Sequence, residues 1–369
     1  MPRPTVGRSA ATTVDGRRRE RLRAFHPSVR DAVARLTSCN LAAEDLAESF
    51  PALLFALVTG YGGAQSREAA FRHVLDGGPL RLAAEIAGLP YWLRRLPAQA
   101  FCEPLGRLPC SESFEARVGH LVPTSRLLAR PWLLRVTYAA EACDEELALW
   151  VARQFRLPVP EAVDDNFAYL VAWAWHADRK DGPAGRLLRR AWSPKLSLRR
   201  AEEETLKWRR RLSLAYALGP GLSDVWLEPG HVDGFDFVPL RTVGDFITES
   251  EVMDNCLDQY SDRMATGCIR VFSIRKSDLP VADIELGPIP KASDLPAIIQ
   301  IKAARNRPAP LIIWRAAHAW LKAHAGRSMS RRPGCPRLAQ RQQAQALLWA
   351  DYLSGLPPHL RAHVEAILA

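Results

Sequence analysis

A chain of 369 residues that is 48% apolar and 24% charged has ordinary globular composition and room for two or three domains. Its formal charge of +10 and pI near 9.5 favour a polyanionic partner, nucleic acid or an anionic membrane surface, without choosing between them. The most apolar stretch, FPALLFALVTGYGG, is stopped by glycines after about ten residues, short of the roughly 18 a spanning helix needs, which excludes membrane insertion through a helix.

In chain order, residues 1–24 mix Pro, Thr, Gly, Ser and Arg with few large apolar side chains and predict a disordered basic arm without a secretory h-region. Residues 25–222 predict an all-helical domain. Apolar residues recur at spacings of three and four in VRDAVARL, REAAFRHVL, LRLAAEIAGL and ELALWVARQF, and Gly- or Pro-containing breaks (GG, GLP, RLPVP) separate them. GYGG at 60–63 lacks the Lys-Ser/Thr of a phosphate-binding loop and reads as a helix terminator. Irregular spacing of the Leu-Pro endings argues against a solenoid.

Between Arg179 and Arg211 twelve Lys or Arg stand against four acids, with Trp192 and Trp208 interleaved. One reading is a phosphate-tracking surface formed by Arg186, Arg189, Arg190, Arg199, Arg200, Arg209, Arg210 and Arg211, on which the indoles stack bases. The other is a solvated helix face whose arginine stems cover apolar neighbours.

After GPG at 219–221 the texture changes. VWLEPG, GFDFVPL, IRVFSIR, VADIEL and AIIQI read as strands, and TVGDFITESEVMDNCLDQYSDRMATG as one helix ending at Gly267. Residues 223–310 thus predict a helix followed by an antiparallel meander, and 311–369 predict C-terminal helices around a basic link, GRSMSRRPGCPR. The expected class is α+β: a largely helical N-terminal region, a small helix-plus-sheet domain, then helices.

Met253, Cys256, Tyr260, Gly267, Phe272, Ser273, Arg275, Ala282, Glu285, Gln300 and Asn306 follow one another in the order of a motif. Over about 65 residues, from Asp245 to Pro310, the chain resembles the PcfJ-like family, named after a protein encoded with a conjugative plasmid. Asn255 stands where that pattern often has His, Asp283 where it has Thr, and Ala303 where it has Gly. The resemblance implies a mobile-element or DNA-transfer setting and supplies no reaction.

Three residues are catalytic candidates: Cys256, Glu285 and Gln300. In the predicted helix Cys256 shares the apolar register of Met253, Leu257 and Tyr260, flanked by Asp254 and Asp258, which disfavour a thiolate. A nucleophilic role requires a base from elsewhere, such as His231, His318 or His324. Glu285 and Gln300 alternate with Ile284, Leu286, Ile299 and Ile301, so on adjacent strands they share a face. With Ser273, Arg275, Arg305 and Asn306 that face forms either a polar pocket for phosphate or amide groups or a solvated outer face. The run Asp254 to Arg263 offers helix ion pairing. His359 and His363 lie one helical turn apart without a third ligand, and seven dispersed cysteines without a CxxC pair argue for free thiols in a reducing, cytoplasmic compartment. No metal or cofactor is implied. The leading reading is a non-enzymatic accessory factor on or beside nucleic acid. Its rivals are an enzyme built on Arg275, Glu285, Gln300 and Asn306 or on Cys256, and a scaffold for a protein partner.

Overall fold

A computed structural model describes residues 20–38, 40–102, 105–123, 125–154, 163–290, 294–326 and 338–368. Most of the basic arm, the RLPVP break, Cys39, Cys335 and the link at 327–337 lie outside these. The chain is α+β: 61% helical, with one antiparallel six-stranded sheet set among helices.

Two compact units cut across the boundaries read from the sequence: Met1–Trp175 with Trp192–Arg199 and Gly355–Ala369, and His176–Ala191 with Arg200–Ser354. Of the region taken as C-terminal helices, the greater part therefore belongs with the sheet.

The first unit is helical. It contains α1 (Pro27–Ser38), α2 (Leu41–Ser49), α3 (Pro51–Thr59), α4 (Ala64–Leu75), α5 (Leu80–Ile86), α6 (Glu112–Val118), α7 (Arg126–Ala142), α8 (Glu145–Gln154), α9 (Asp165–Trp175) and α15 (Pro358–Leu368). The apolar run at 50–56 is α3, buried along almost its whole length and ended by Gly60 at φ 84°, a left-handed turn that glycine adopts without a Cβ clash. Trp132 of α7 is buried and donates to the Ala152 carbonyl of α8, and Trp92 stacks edgewise on it at 6.1 Å. The supposed arm is folded from residue 20 on: Arg21 pairs with Glu48 at 2.6 Å and Phe25 is buried.

The second unit holds most of α10 (Leu198–Leu218), β1 (Gly230–Val232), β2 (Phe235–Pro239), α11 (Val243–Met253), α12 (Ser261–Ala265), β3 (Arg270–Lys276), β4 (Leu279–Leu286), β5 (Ile298–Ala303), β6 (Arg307–Pro308), α13 (Leu311–Lys322) and most of α14 (Leu338–Gly355). The strands form a simple meander in chain order, with α11 and α12 inserted between β2 and β3. One face is apolar: Phe237, Phe272, Ile274, Ala282, Ile284 and Ile301 join α13 through Trp320, whose indole stacks on Phe237 at 4.5 Å and meets Phe272 edge-on at 4.9 Å. Gly230 makes that approach possible, because a Cβ there would stand 3.1 Å from the Trp320 ring.

Two predicted elements differ. VWLEPG is no strand before Gly230; Trp226 takes a left-handed backbone (φ 71°), its backbone N–H donating to Asp224 Oδ1, and its ring lies under the buried Arg270 guanidinium at 4.7 Å. The single helix expected through Gly267 breaks at Asp254 (φ 49°), and only the short α12 follows a turn at 257–259. Asp and Asn side chains compete locally for backbone N–H groups, and Asn255 Oδ1 accepts from Leu257 N–H, so Asp-Asn ends the helix despite its apolar periodicity. No helix among the described residues is long and apolar enough to cross a membrane.

Candidate functional site

The second face of the sheet carries the chemistry. Alternation along β3, β4 and β5 sets Ser273, Asp283 and Lys302 in one cross-strand row and Val271, Glu285 and Gln300 in the next. This face is covered, not solvated: Ser273, Asp283 and Glu285 are all buried. The cover is α11 and the turns after it. A capping box starts that helix, with Thr242 Oγ1 accepting from Asp245 N–H and Asp245 Oδ2 accepting from Thr242 N–H. Its last turn brings the buried Glu249 onto the sheet.

Two polar clusters result. In the first, both Nη atoms of Arg263 grip the Glu285 carboxylate, one at 2.8 Å, while Gln300 Nε2 donates to Glu285 Oε2 at 2.8 Å and to the Tyr260 hydroxyl at 2.8 Å. The Tyr260 hydroxyl itself donates to Glu285 at 3.2 Å, and the Arg263 guanidinium sits 5.3 Å from the Tyr260 ring centre. Burial first, then the Glu285 charge, push the Tyr260 phenol up, so it stays protonated as a donor. Glu285 is thereby committed to four donors. That arrangement holds the carboxylate in place.

The second cluster is less complete. Asn255 Nδ2 donates to Asp283 Oδ2 at 2.6 Å, and Arg275 reaches Glu249 at 3.5 Å while donating to Ser273 Oγ at 3.1 Å. Asp283 Oδ1 and Glu249 Oε1 are buried and find no other donor among the described residues. Burial above all, then the Glu249 charge and hydrogen bond, push Asp283 up to about 8, against a smaller pull from Asn255 and Arg275. Its carboxyl therefore holds a proton above the pH at which a free aspartate releases it.

Between the clusters lies a cavity of about 20 Å³, space for a single water, lined by Asn255, Cys256, Asp283, Glu285, Gln300 and Lys302 among others. Beside it, Asp254, Arg305 and Asn306 all have left-handed backbones (φ 49°, 59° and 56°). Arg305 pairs with Asp254 at 3.4 Å, and the Cys256 thiol points to Asn306 Oδ1 at 3.8 Å.

No family model, no curated protein and no solved structure matches this chain.

Each sequence candidate has a definite place. Glu285 and Gln300 are direct cross-strand partners. Cys256 is not in a helix or its apolar register; it is half-buried in the turn after α11, and among the described residues the hydrogen-bond partner of its thiol is Asn306, not a histidine. His231 bonds to Asp236, and His324 to the Trp320 carbonyl. Of the other motif positions, Met253 and Phe272 are core, and Gly267 (φ 67°) closes α12. The Arg-rich block divides: Arg186, Arg189, Arg190 and Arg199 are exposed, while Arg209 and Arg210 are half-buried. Arg211 is buried, donating to the Leu187 carbonyl and pairing with Glu251 at 2.6 Å, and Arg200 pairs with Glu203 and Glu204. Trp208 is buried with its indole N–H on the Ala184 carbonyl, out of reach of a base, whereas Trp192 is half-buried and meets Trp150 edge-on. Among the described residues no group of three or more His, Cys, Asp or Glu is arranged to hold a metal ion.

Sequence reading missed Glu249, Arg263 and the role of Asp283. Asp283 was findable, since two residues from Glu285 in one strand means the same face. Arg263, three residues from Tyr260, had the spacing of a shared helical face but read as surface pairing. Glu249 carried no such mark.

Proposed function

We propose that the covered face of the sheet is an acid–base site in which Asp283 transfers a proton, through the single water its cavity can hold, to or from a small anionic substrate at the opening beside Lys302. The observation that carries this reading is a buried aspartic acid held against Glu249, protonated near neutral pH and lining a cavity large enough for one water. Lys302 supplies a positive charge at the opening beside Asn306, and Arg263, Tyr260 and Gln300 keep Glu285 fixed as the wall. Asn255 and Asp283, two positions at which the chain departs from the PcfJ-like pattern, are bonded to each other. The thiols of Cys110, Cys256 and Cys268 fit a cytoplasmic setting. The test is mass spectrometry of an extracted mixture of small anionic metabolites incubated with the full chain or with Asp283→Asn. Depletion of a compound by the wild type alone is the expected result. Identical profiles from two folded proteins would remove the reading.

A second reading rests on Arg186, Arg189 and Arg190, three exposed arginines in one loop with no acidic partner among the described residues, in a chain of formal charge +10. They suit a nucleic-acid backbone, as an accessory factor in a DNA-transfer setting requires. Anisotropy with labelled single- and double-stranded oligonucleotides should show salt-dependent binding. Replacing the three by alanine should flatten the log–log salt slope by up to about 2–3 units. Binding that ignores salt would end this reading.

A further inference from the structure

The helical unit contains a second, larger cavity unconnected with the sheet. It measures about 500 Å³ and is lined by Leu105, Leu134, Thr137, Tyr138, Val163 and Leu360, with Glu141, His359 and His363 as its polar residues. That volume lies in the range of small-molecule sites, as does an apolar lining with a few convergent polar groups.

Glu141 gives the cavity its polarity. It sits at the C-terminal end of α7, and its side chain is only 5% exposed. Its Oε1 accepts from the Arg107 backbone N–H, and its Oε2 lies 2.9 Å from His359 Nε2 on α15. Gly106 permits the first contact, since a Cβ there would stand 2.5 Å from Glu141 Oε1. Each carboxylate oxygen keeps a second acceptor position. His363 packs edgewise on the Tyr138 ring at 6.2 Å, closing one wall with an aromatic pair. A buried carboxylate whose partners are a backbone N–H and an imidazole, facing an apolar hole, is complementary to a cation carried on an apolar body.

We infer that this cavity binds a hydrophobic amine, its ring or chain against Leu134, Val163 and Leu360 and its ammonium on Glu141. An alcohol of the same shape would bury the same apolar area and lack the charge-assisted bond, and an acid would meet Glu141 as a like charge.

The experiment uses the full chain and three indole probes of similar size: tryptamine, tryptophol and indole-3-propionate. Saturation-transfer NMR detects contact, and calorimetric titration gives Kd. Tryptamine should bind at least about tenfold tighter than tryptophol, with indole-3-propionate weakest. Glu141→Gln should bring tryptamine down to the affinity of tryptophol. Leu134→Trp, which fills the cavity from its apolar wall and leaves the Glu141 side chain unchanged, should abolish binding of both. Equal affinity for all three probes on the wild type, no binding of any, or tryptamine binding that survives Leu134→Trp would each overturn the inference. The wild-type ranking stands independently should Glu141→Gln fail to fold.

Discussion

The two faces of the six-stranded sheet are made by the same strands and held in opposite ways. On one, Phe237, Phe272, Ile274, Ile284 and Ile301 pack against Trp320, and each atom removed from water adds to stability without needing a particular partner. On the other, Ser273, Asp283, Glu285 and Glu249 are as deeply buried, yet every charge there costs free energy unless a partner meets it. The difference teaches where function is to be sought. An apolar face tolerates change in proportion to volume, whereas a buried polar face persists only where each group is answered. Of the two carboxyls left with an incomplete answer, Asp283 and Glu249, Asp283 is the one that burial and its neighbour push up toward neutral pH.

The sharpest break of this comparison is on the apolar side. Trp320→Ala empties the stack on Phe237 and Phe272 and should cost about 3–5 kcal/mol, read as a fall in the urea midpoint of the sheet unit. A loss below about 1 kcal/mol would mean that the face refills by collapse. Next comes Arg263→Ala, which strands the buried Glu285 carboxylate. Because the Arg263 side chain is 43% exposed and water can replace part of it, the expected loss is about 2–3 kcal/mol, below that of a fully enclosed pair. Adding Glu285→Leu to Arg263→Ala should recover most of that loss, since the penalty lies in the unanswered charge and not in the missing arginine. A double variant no more stable than the single would show that Arg263 acts mainly by packing on Tyr260.

Much of the sheet was legible beforehand because its signals are local. Alternation in VADIEL and AIIQI gave β4 and β5, and it put Glu285 and Gln300 on one face, where they pair directly. What could not be read was the cover. Periodicity in TVGDFITESEVMDNCLDQYSDRMATG carries no mark of the left-handed Asp254, so it puts Cys256 in a helix that ends three residues before it. Glu249 looks like any solvent-facing acid of an amphipathic helix until the helix is laid across Asp283, a contact made over 34 residues of separation. Charge density misled in the same way. Twelve basic residues in a row of 33 suggested a surface, yet Arg211 and Trp208 point into the core, because a helix of 21 residues must bury one side whatever its composition.

The smallest effect is the most specific to the polar face. Asp283 is raised in the fold, from 3.8 to about 8, so the native state holds a proton that the unfolded chain releases above about pH 4. Its contribution to stability is complete below that and is lost as pH rises toward 8, at up to about 1.4 kcal/mol per pH unit for one proton. His176 works in the opposite sense. Burial first, then Arg179, lower it from 6.5 to about 4, so its contribution is present above pH 6.5 and is lost as pH falls toward 4. Between 4 and 6.5 the two slopes oppose each other, and from 6.5 to 8 only Asp283 remains. Urea midpoints of the wild type should therefore change little across the acid window and decline from 6.5 to 8. In Asp283→Asn the decline above 6.5 should vanish and a loss on acidification should emerge. His176→Phe should instead grow steadily more stable from pH 8 down to 4. A wild-type decline above 6.5 that persists unchanged in Asp283→Asn would assign the proton to another group and leave the polar face a purely structural counterpart of the apolar one.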